Sequence, residues 1–524
     1  MICLANKTIR PNRVYLHLPT PLRPALPCVY GPLDYREQRA LFERIDLILS
    51  RSGLEQEFIN LALADRQINS EKASAKFLGR FARMSVLALR SNIARKLIGL
   101  GHRDFCARLA DSPLLQWFLH VGEIDAVTTF AKSSSDRFGK WVSEQSVRTI
   151  NEKFNALLAA ADSNVIGEQI PSAVFGLPQS VSFDDVYFDS TCLKADIHFP
   201  IDWVLLRDAA RTLMKATTLI RKHGLKNRMG QEPLEFPSDM NTLCMKMTAK
   251  GKASDGRKQR KKVLREMKTL EKRIARHAAL HLEALKTRRH ESDLSEAQAQ
   301  QIIDRMENVL RQLPAAVKQA HERMIGGRQV ANGEKILSLY DDSINIIKRG
   351  KAGAAVEFGN KLWLGENADG IIVDYKIYQD NPSDSALATP ALKRLVDDQK
   401  MDVKNVWGDR GLASKLNSAM LERRGIRNGF CPRDVSELSD KLATEPGFRE
   451  GLKRRAGTEA RIGIFRNVFC GRPLLAKGFE NRELAVGWAA LTHNLWVVAR
   501  MAEAEKKRKE AQEEKPRPPQ ARAA

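Results

Sequence analysis

A long, basic, helix-forming segment stands between the first strand-forming residues of this chain and all the later ones. Residues 180–199 are rich in β-branched and aromatic residues with partial alternation, a pattern that predicts a strand. Residues 203–328 have the apolar spacing of helices, and strand patterns return only from residue 335 onward. If all the strands share one sheet, the helical segment must leave that sheet and return to it as an insertion.

Short strand patterns alternate with helix patterns downstream of that segment. Glu357–Leu364 and Gly370–Tyr378 predict a hairpin, because the Asp-Gly step between them is a turn signal. Later strands are predicted at Lys404–Asp409 and 426–431, and helices near 386–399 and 413–424. Such alternation is typical of an α/β sheet covered by helices.

The two ends of the chain are predicted to be mainly helical. Residues 41–161 contain few Gly or Pro and have apolar residues at three- and four-residue spacing. A closing helix is predicted from about Asn481 to Met501, with an apolar stripe of Leu484, Trp488, Leu491 and Leu495. The charged, Pro-containing residues after it predict a disordered tail.

Positive charge is concentrated in the helical segment. The chain carries 86 Lys and Arg against 63 Asp and Glu, a net charge of +23 at pH 7. Residues 201–330 hold 28 basic and 15 acidic side chains, so this quarter of the chain contributes +13. Its densest run is Arg257, Lys258, Arg260, Lys261 and Lys262. We expect this run to contact nucleic-acid phosphates without reading sequence. The alternative is a charged helical surface or coiled coil with Glu partners at i+4.

Cysteine usage and hydropathy indicate the compartment. The seven cysteines form no CxxC pair, which excludes a zinc ribbon or thioredoxin-like motif, and their scatter is typical of a reducing compartment. The first residues lack the basic-then-apolar layout of a signal peptide. The longest apolar stretch, Leu484–Val498, contains His493 and Asn494 and is too short to span a bilayer. We therefore expect a cytoplasmic protein without a membrane partner.

Three carboxylates stand where a metal site can form. Asp189 lies inside the first strand pattern, Asp409 ends a short apolar strand, and Glu459 lies on a basic helix. A carboxylate in a buried strand is costly unless it is paired or metal-bound, and carboxylate oxygens are ligands that Mg²⁺ prefers. Each residue also has an ordinary explanation: a turn or helix cap for the aspartates, and a surface ion pair for the glutamate.

Four stretches of the sequence resemble the DDE transposases of bacterial insertion sequences, whose catalytic domain is RNase H-like. The stretches are Asp189-Ser190-Thr191 with Ala195–Asp202; Gly359-Asn360-Lys361 through Asp374-Tyr375 to Asn381-Pro382-Ser383-Asp384; Gly408-Asp409-Arg410-Gly411 with Arg424-Gly425-Ile426; and Arg455-Ala456-Gly457-Thr458-Glu459 with Arg466 and Ala490–Leu495. Ser112–Phe154 is similar to the family's N-terminal helical region. The resemblance covers most of residues 110–500, and its specificity comes from the ordered combination.

The resemblance implies a fold and a reaction. The fold is α/β: an RNase H-like mixed sheet with helices on its faces, a large α-helical insertion after the first catalytic strand, and an all-α N-terminal region. The reaction is phosphodiester hydrolysis at the transposon ends, followed by strand transfer of the 3′-OH into target DNA. Asp189, Asp409 and Glu459 would be the catalytic residues and would bind two Mg²⁺ ions, for which Mn²⁺ can substitute. Arg455 and Arg466 match the Arg and Lys of a Tyr–Arg–Glu–Lys signature and would bind terminal phosphates.

Partners and regions follow from the same resemblance. The partners would be double-stranded DNA, as terminal inverted repeats and as target, and further copies of the chain in a homodimer or larger synaptic complex at the bacterial nucleoid. The predicted regions are an irregular N-terminus (1–40), a helical DNA-binding region (41–172), the first part of the catalytic domain (173–202), the basic helical insertion (203–335), the remainder of the catalytic domain (336–503) and a disordered tail (504–524). Two alternatives stay open: a metal-dependent nuclease of the same fold, and a non-catalytic or decayed DNA-binding protein.

Overall fold

The fold combines one mixed sheet with many helices, so the α/β class is confirmed. The computed structural model describes residues 23, 25–26, 28–122, 126–160, 172–249, 255–351 and 354–513. The strands are β1 (Asp185–Lys194), β2 (Asn345–Lys351), β3 (Ala354–Asn367), β4 (Ile372–Tyr378), β5 (Asn405–Gly408) and β6 (Arg427–Phe430). The helices are α1 (Leu33–Arg51), α2 (Leu54–Asp65), α3 (Ala75–Leu97), α4 (His102–Asp111), α5 (Pro113–Leu119), α6 (Lys132–Gly139), α7 (Glu144–Ala160), α8 (Ser172–Phe175), α9 (Asp202–Lys222), α10 (Glu235–Ala249), α11 (Gly256–Arg288), α12 (Glu296–His321), α13 (Ala388–Leu392), α14 (Lys415–Arg423), α15 (Val435–Thr444), α16 (Phe448–Ile464) and α17 (Phe479–Glu513).

Strand β1 lies in the middle of the sheet. The strand order is β2-β3-β1-β5-β6, and β4 pairs with β3 on the edge opposite β1. The β3 strand runs antiparallel to β1, whereas β5 runs parallel to β1 and β6 parallel to β5. The strand that directly precedes Asp409 therefore lies parallel beside the strand that carries Asp189.

Both faces of β1 are covered by protein, which explains its nearly continuous apolar sequence. Val186 and Phe188 belong to the core shared with the N-terminal helices. On the other face, Tyr187 packs with Trp407 of β5 and Phe448 of α16. A central strand of this kind has a fixed register, because a slip by one residue would exchange its two faces.

Two glycines allow α16 to lie close against β5. Gly429 of β6 and Gly451 of α16 both contact the indole ring of Trp407, and a Cβ on either glycine would overlap that ring. The ring stacks on Tyr187 with centroids 6.2 Å apart, and Trp407 Nε1 donates to Asp185 Oδ1 over 2.8 Å. This packing places α16 across β1 and β5.

The residues between β1 and β2 form a helical bundle with its own core. Helix α9 packs against α10, α11 and α12, and buried residues of all four helices form one hydrophobic cluster. Among the described residues between 203 and 335, none forms a strand. The bundle leaves the sheet after β1 and returns to it at β2, as an insertion must.

The N-terminal helices do not form a separate body. Buried residues of α1, α2, α3 and α7 share one hydrophobic cluster with the sheet and with α17. Polar contacts join the same parts: Lys96 Nζ donates to the carbonyl oxygen of Phe469 over 2.9 Å, and Trp488 Nε1 to that of Gly139 over 3.0 Å. The core therefore continues across the predicted boundary near residue 172, because apolar faces of the N-terminal helices are buried by later segments of the chain.

Two predicted ends are wrong in part. Helix α1 begins at Leu33, directly after Pro32, so residues 33–40 are not irregular. Helix α17 continues to Glu513, so residues 504–513 of the predicted disordered tail are helical, and residues 514–524 lie outside the described part. Ion pairs one turn apart support this extension: Glu505 pairs with Arg508 and Lys509, and Lys506 with Glu510.

Within the described ranges, no helix combines the length and the apolar character that a membrane crossing requires.

Candidate active site

Asp189 and Asp409 occupy equivalent positions on neighbouring parallel strands. The ladder between β1 and β5 pairs Asp185 with Asn405 and Tyr187 with Trp407. Continuing that register by two residues sets Asp189 opposite Asp409, which directly follows β5. Tyr187 faces α16, and Asp189 faces the same way because side chains alternate along a strand. The fold thus brings together two carboxylates that lie far apart in the sequence.

The surroundings of Asp189 disfavour its negative charge. The side chain is half-buried, and the backbone N–H of Ser190 donates to its Oδ1 over 2.7 Å. Burial raises the pKa of the Asp189 carboxyl to about 6, and the negative charges of Asp409 and Glu459 act in the same direction. The Ser190 hydrogen bond and the positive charge of Arg455 oppose the shift. Asp189, Asp409, Arg455 and Glu459 therefore interact electrostatically as one group.

A third aspartate, Asp384, stands beside Asp409. Oxygens of Asp409 and Asp384 lie 3.1 and 3.4 Å from the point where a Cβ on Gly411 would be. Asp384 accepts hydrogen bonds from Ser190 Oγ (2.7 Å) and Lys361 Nζ (3.0 Å). A Cβ on Gly411 would be in tight contact with the Asp409 carboxylate, and Asp384 ties its own turn to the central strand.

Helix α16 carries Glu459 and Arg455 over the two strands. Glu459 is exposed and Arg455 is half-buried, on the side of the helix next to the face that packs on the sheet. The charges of both residues act on the pKa of Asp189. The helix therefore holds one carboxylate and one cation within electrostatic range of the middle of β1.

Glu366 of β3 holds α16 against the sheet. It is buried on β3 opposite Tyr187, and its Oε1 accepts hydrogen bonds from Thr458 Oγ1 (2.8 Å), Arg461 (3.2 Å) and Arg454 (3.3 Å). All three donors belong to the same helix. This cluster fixes the rotation of α16 about its axis and so the direction in which Glu459 points.

Arg466 lies beyond the regular part of α16. Residues Phe465–Cys470 form a π-helical continuation, so the side-chain spacing of an α-helix ends at Ile464. Arg466 Nη1 nevertheless donates to Thr191 Oγ1 over 3.3 Å. Thr191 is two residues after Asp189 on the same face of β1, so Arg466 remains next to the strand that carries Asp189.

The three predicted metal ligands are carboxylates, and oxygen donors of this kind suit Mg²⁺. Burial raises the pKa of Asp189 most, the charges of Asp409 and Glu459 raise it further, and a cation would relieve both effects. In the described part of the chain, however, no three His, Cys, Asp or Glu side chains are grouped closely enough to hold a metal ion. The donor chemistry fits a divalent metal, whereas the described side chains do not converge on one position.

The basic run of the insertion is divided between two surfaces. Arg257 and Arg260 line a cleft at the base of the bundle, whereas Lys258, Lys261 and Lys262 do not line it. Arg257 and Arg260 are three residues apart and share one side of the helix. Lys258 and Lys262 are four residues apart and share another side. The run is therefore not one continuous patch.

Several residues of these sites were missed by the sequence prediction. Glu366 was predicted to lie in the turn between the hairpin strands, whereas it belongs to β3, and its role depends on helix–sheet packing. Asp384 was assigned only to a turn, although its proximity to Ser190 places it beside the carboxylates. The Asp-Arg-Gly step after β5 is a local signal that favours a tight turn at Gly411, but no local pattern identifies the partners of that turn.

Comparisons with known proteins found no match: no family model, no curated protein and no solved structure is similar to this chain.

Proposed function

We propose that this protein is a DNA transposase that cleaves phosphodiester bonds at the ends of a mobile element and transfers the 3′-OH ends into target DNA. The observation that carries the proposal is the placement of Asp189 and Asp409 in one register at neighbouring parallel strands, with Glu459 beside them on a crossing helix. Two unrelated surface aspartates would have no reason to share this register.

The strand order supports an RNase H-like catalytic domain. On one side of central β1, β3 runs antiparallel to β1 and β4 runs antiparallel to β3. On the other side, β5 runs parallel to β1 and β6 runs parallel to β5. The helical bundle enters between β1 and β2 without adding a strand in its described residues. This is the arrangement that the resemblance implies.

The side chains suit phosphoryl transfer. Asp189, Asp409 and Glu459 would hold two Mg²⁺ ions, or Mn²⁺ in their place. When bound, such ions activate an attacking oxygen and stabilise the leaving oxygen. Arg455 and Arg466 lie next to the carboxylates and would bind phosphate oxygens of the scissile strand. Glu366 holds helix α16 in place, and Asp384 ties its own turn to β1.

The charge of the chain supports double-stranded DNA as the partner. A net charge of +23 gives a strong sequence-independent attraction to phosphates. Reaction at two element ends would require a homodimer or a larger synaptic complex, and a cytoplasmic location at the nucleoid would give access to chromosomal DNA.

A plasmid reaction tests the proposal. The substrate is a supercoiled plasmid that carries the gene with its native flanking DNA on both sides, incubated with purified protein and Mg²⁺. Excision with insertion elsewhere supports the transposase. Cleavage without insertion favours a metal-dependent nuclease of the same fold, and a gel shift without cleavage favours a non-catalytic DNA-binding protein.

Variants identify the residues responsible. Asp189→Asn, Asp409→Asn and Glu459→Gln should each abolish cleavage while DNA binding changes only a few-fold, because the loss is in transition-state stabilisation. Glu450→Gln is the matched control, since Glu450 is an exposed carboxylate on the same helix as Glu459. Near-normal cleavage by any one of the three variants would remove that residue from the proposed site.

A further inference from the structure

A cationic cleft lies at the base of the helical insertion. Its volume is about 1050 Å³, and it is bounded by the first residues of α9 and α11 and by the segment after α12. Its charged residues are Arg257, Arg260, Arg323, Arg328, Lys335 and Asp202. Five cations thus face one cavity with a single carboxylate in its wall.

Two of these cations are already neutralised. Arg323 forms a bidentate contact with Asp202 at 2.8 and 3.0 Å, and Arg328 pairs with Glu322 at 3.1 Å. These ion pairs hold the segment after α12 against the bundle. These paired arginines shape the wall of the cleft and contribute little to its attraction for an anionic ligand.

The other three cations have no ion pair among the described residues. Arg260 Nε donates to the carbonyl oxygen of Met247 over 3.0 Å, and Lys335 Nζ to the amide oxygen of Asn332 over 2.7 Å. Arg257 is exposed at the cleft beside Gly327. Neutral acceptors leave the positive charge of these side chains available to an anion.

Trp203 shows which part of a ligand the cleft can contact. The guanidinium of Arg260 lies over its indole ring, 5.7 Å from the centroid. That face of the ring is covered, so it does not offer a platform on which a base could stack. The groups that the cleft offers a ligand are therefore mainly its cations, which suit phosphates.

We propose that this cleft binds the sugar-phosphate backbone of duplex DNA, through Arg257, Arg260 and Lys335. Its volume is at the upper limit of small-molecule pockets, and its cations come from separate segments, as expected for a site that follows an extended polyanion. The inference rests on the proposed function for its choice of DNA.

The cleft and the carboxylates can act on one DNA molecule. Thirteen residues separate Asp189 from Asp202 in the wall of the cleft, and a chain of that length spans at most about 45 Å. A duplex of about 30 base pairs is about 100 Å long at 3.4 Å per base pair, so it can reach both sites.

The test compares two triple variants of the full-length protein, each with three cations removed. The cleft variant is Arg257→Gln, Arg260→Gln and Lys335→Gln. The control variant is Arg265→Gln, Lys272→Gln and Arg276→Gln, which removes exposed cations of α11 that lie outside the basic run and have no ion pair among the described residues. Affinity for a fluorescent duplex of about 30 base pairs and random sequence is measured by anisotropy from about 50 to 300 mM salt, in EDTA.

The cleft variant should lose about two to three units of the slope of log affinity against log salt, close to 0.9 per lost phosphate contact, and the control less than one unit. The double variant Arg257→Lys, Arg260→Lys should keep the slope. If the triple variant loses helical circular dichroism, the single variants Arg257→Gln and Lys335→Gln replace it, with about one unit expected for each.

Equal losses in the two triple variants, or no loss in the cleft variant, would overturn the proposal. So would saturable binding of tripolyphosphate that the cleft variant loses while its duplex binding is unchanged, because the ligand would then be a small polyphosphate. Binding in EDTA does not depend on cleavage. A protein that binds DNA through the cleft but never cleaves it would refute the proposed function alone.

Discussion

Replacing Glu271 by Gln should stabilise the helical insertion at neutral and alkaline pH. Glu271 lies in α11 with only 2% of its surface exposed, and neither carboxyl oxygen has a hydrogen-bond partner among the described residues. Burial raises the pKa of this carboxyl to about 8, from an ordinary value of 4.5. The folded protein therefore keeps the group neutral at pH 7, whereas the unfolded chain ionises it.

The size of the effect follows from the two pKa values. Between pH 4.5 and 8 the folded state holds one proton more than the unfolded state, so the free energy of unfolding falls as the pH rises. The slope is about 1.4 kcal/mol per pH unit, which gives a loss of about 3 kcal/mol at pH 7 and nearly 5 kcal/mol above pH 8. Gln cannot ionise, so the variant should lack this loss, and the two proteins should agree within about 1 kcal/mol at pH 4.5.

Hydrogen exchange of α11 peptides measures the opening of the bundle directly, after correction for the intrinsic exchange rate at each pH. Local measurement is preferable because a chain of this size need not unfold in one step. Glu266→Gln is the matched control: Glu266 is exposed on the same helix, and its replacement should change stability by less than about 0.5 kcal/mol at any pH. A difference between Glu271→Gln and wild type that does not change from pH 5 to pH 8 would refute the reasoning, since the carboxylate would then be ionised in the folded bundle.

Three further perturbations address the rest of the structure. Glu366→Gln should weaken the anchoring of α16 and lower the free energy of unfolding by about 2 kcal/mol. It should also reduce Mg²⁺-dependent cleavage, measured by single-turnover kinetics, more than it reduces DNA binding, measured by anisotropy. Burial lowers the pKa of Lys96 to about 8, so the free energy of unfolding of the wild type should rise by about 3 kcal/mol from pH 7 to 10.5. Chemical denaturation should show no such rise in Lys96→Met. Gly451→Ala would overlap the ring of Trp407 and should cost about 1–3 kcal/mol in the same assay, while Gly463→Ala, with open space at its Cβ, should cost nothing.

Local patterns were sufficient to predict the types and order of most elements after residue 180. The first strand, the hairpin and the short strands near 405 and 427 all form within a few residues of their predicted ends. Their periodicity and turn residues act over a few positions, so they can be recognised without knowledge of the partner. The start of α1 and the end of α17 were predicted wrongly because Pro-containing and highly charged segments are also typical of irregular chain.

The sequence by itself identified the candidate side chains: the three carboxylates, Arg455 and Arg466, and the basic run of α11. Only the tertiary structure decided which of them meet. The shared register of Asp189 and Asp409 depends on the pairing of β1 with β5, and the anchoring of α16 on Glu366 depends on close packing at Gly451. The division of the basic run, the isolation of Glu271 and the core shared with the N-terminal helices likewise depend on contacts between segments distant in the chain. Such contacts follow from burial and shape complementarity of whole elements, which no local pattern records.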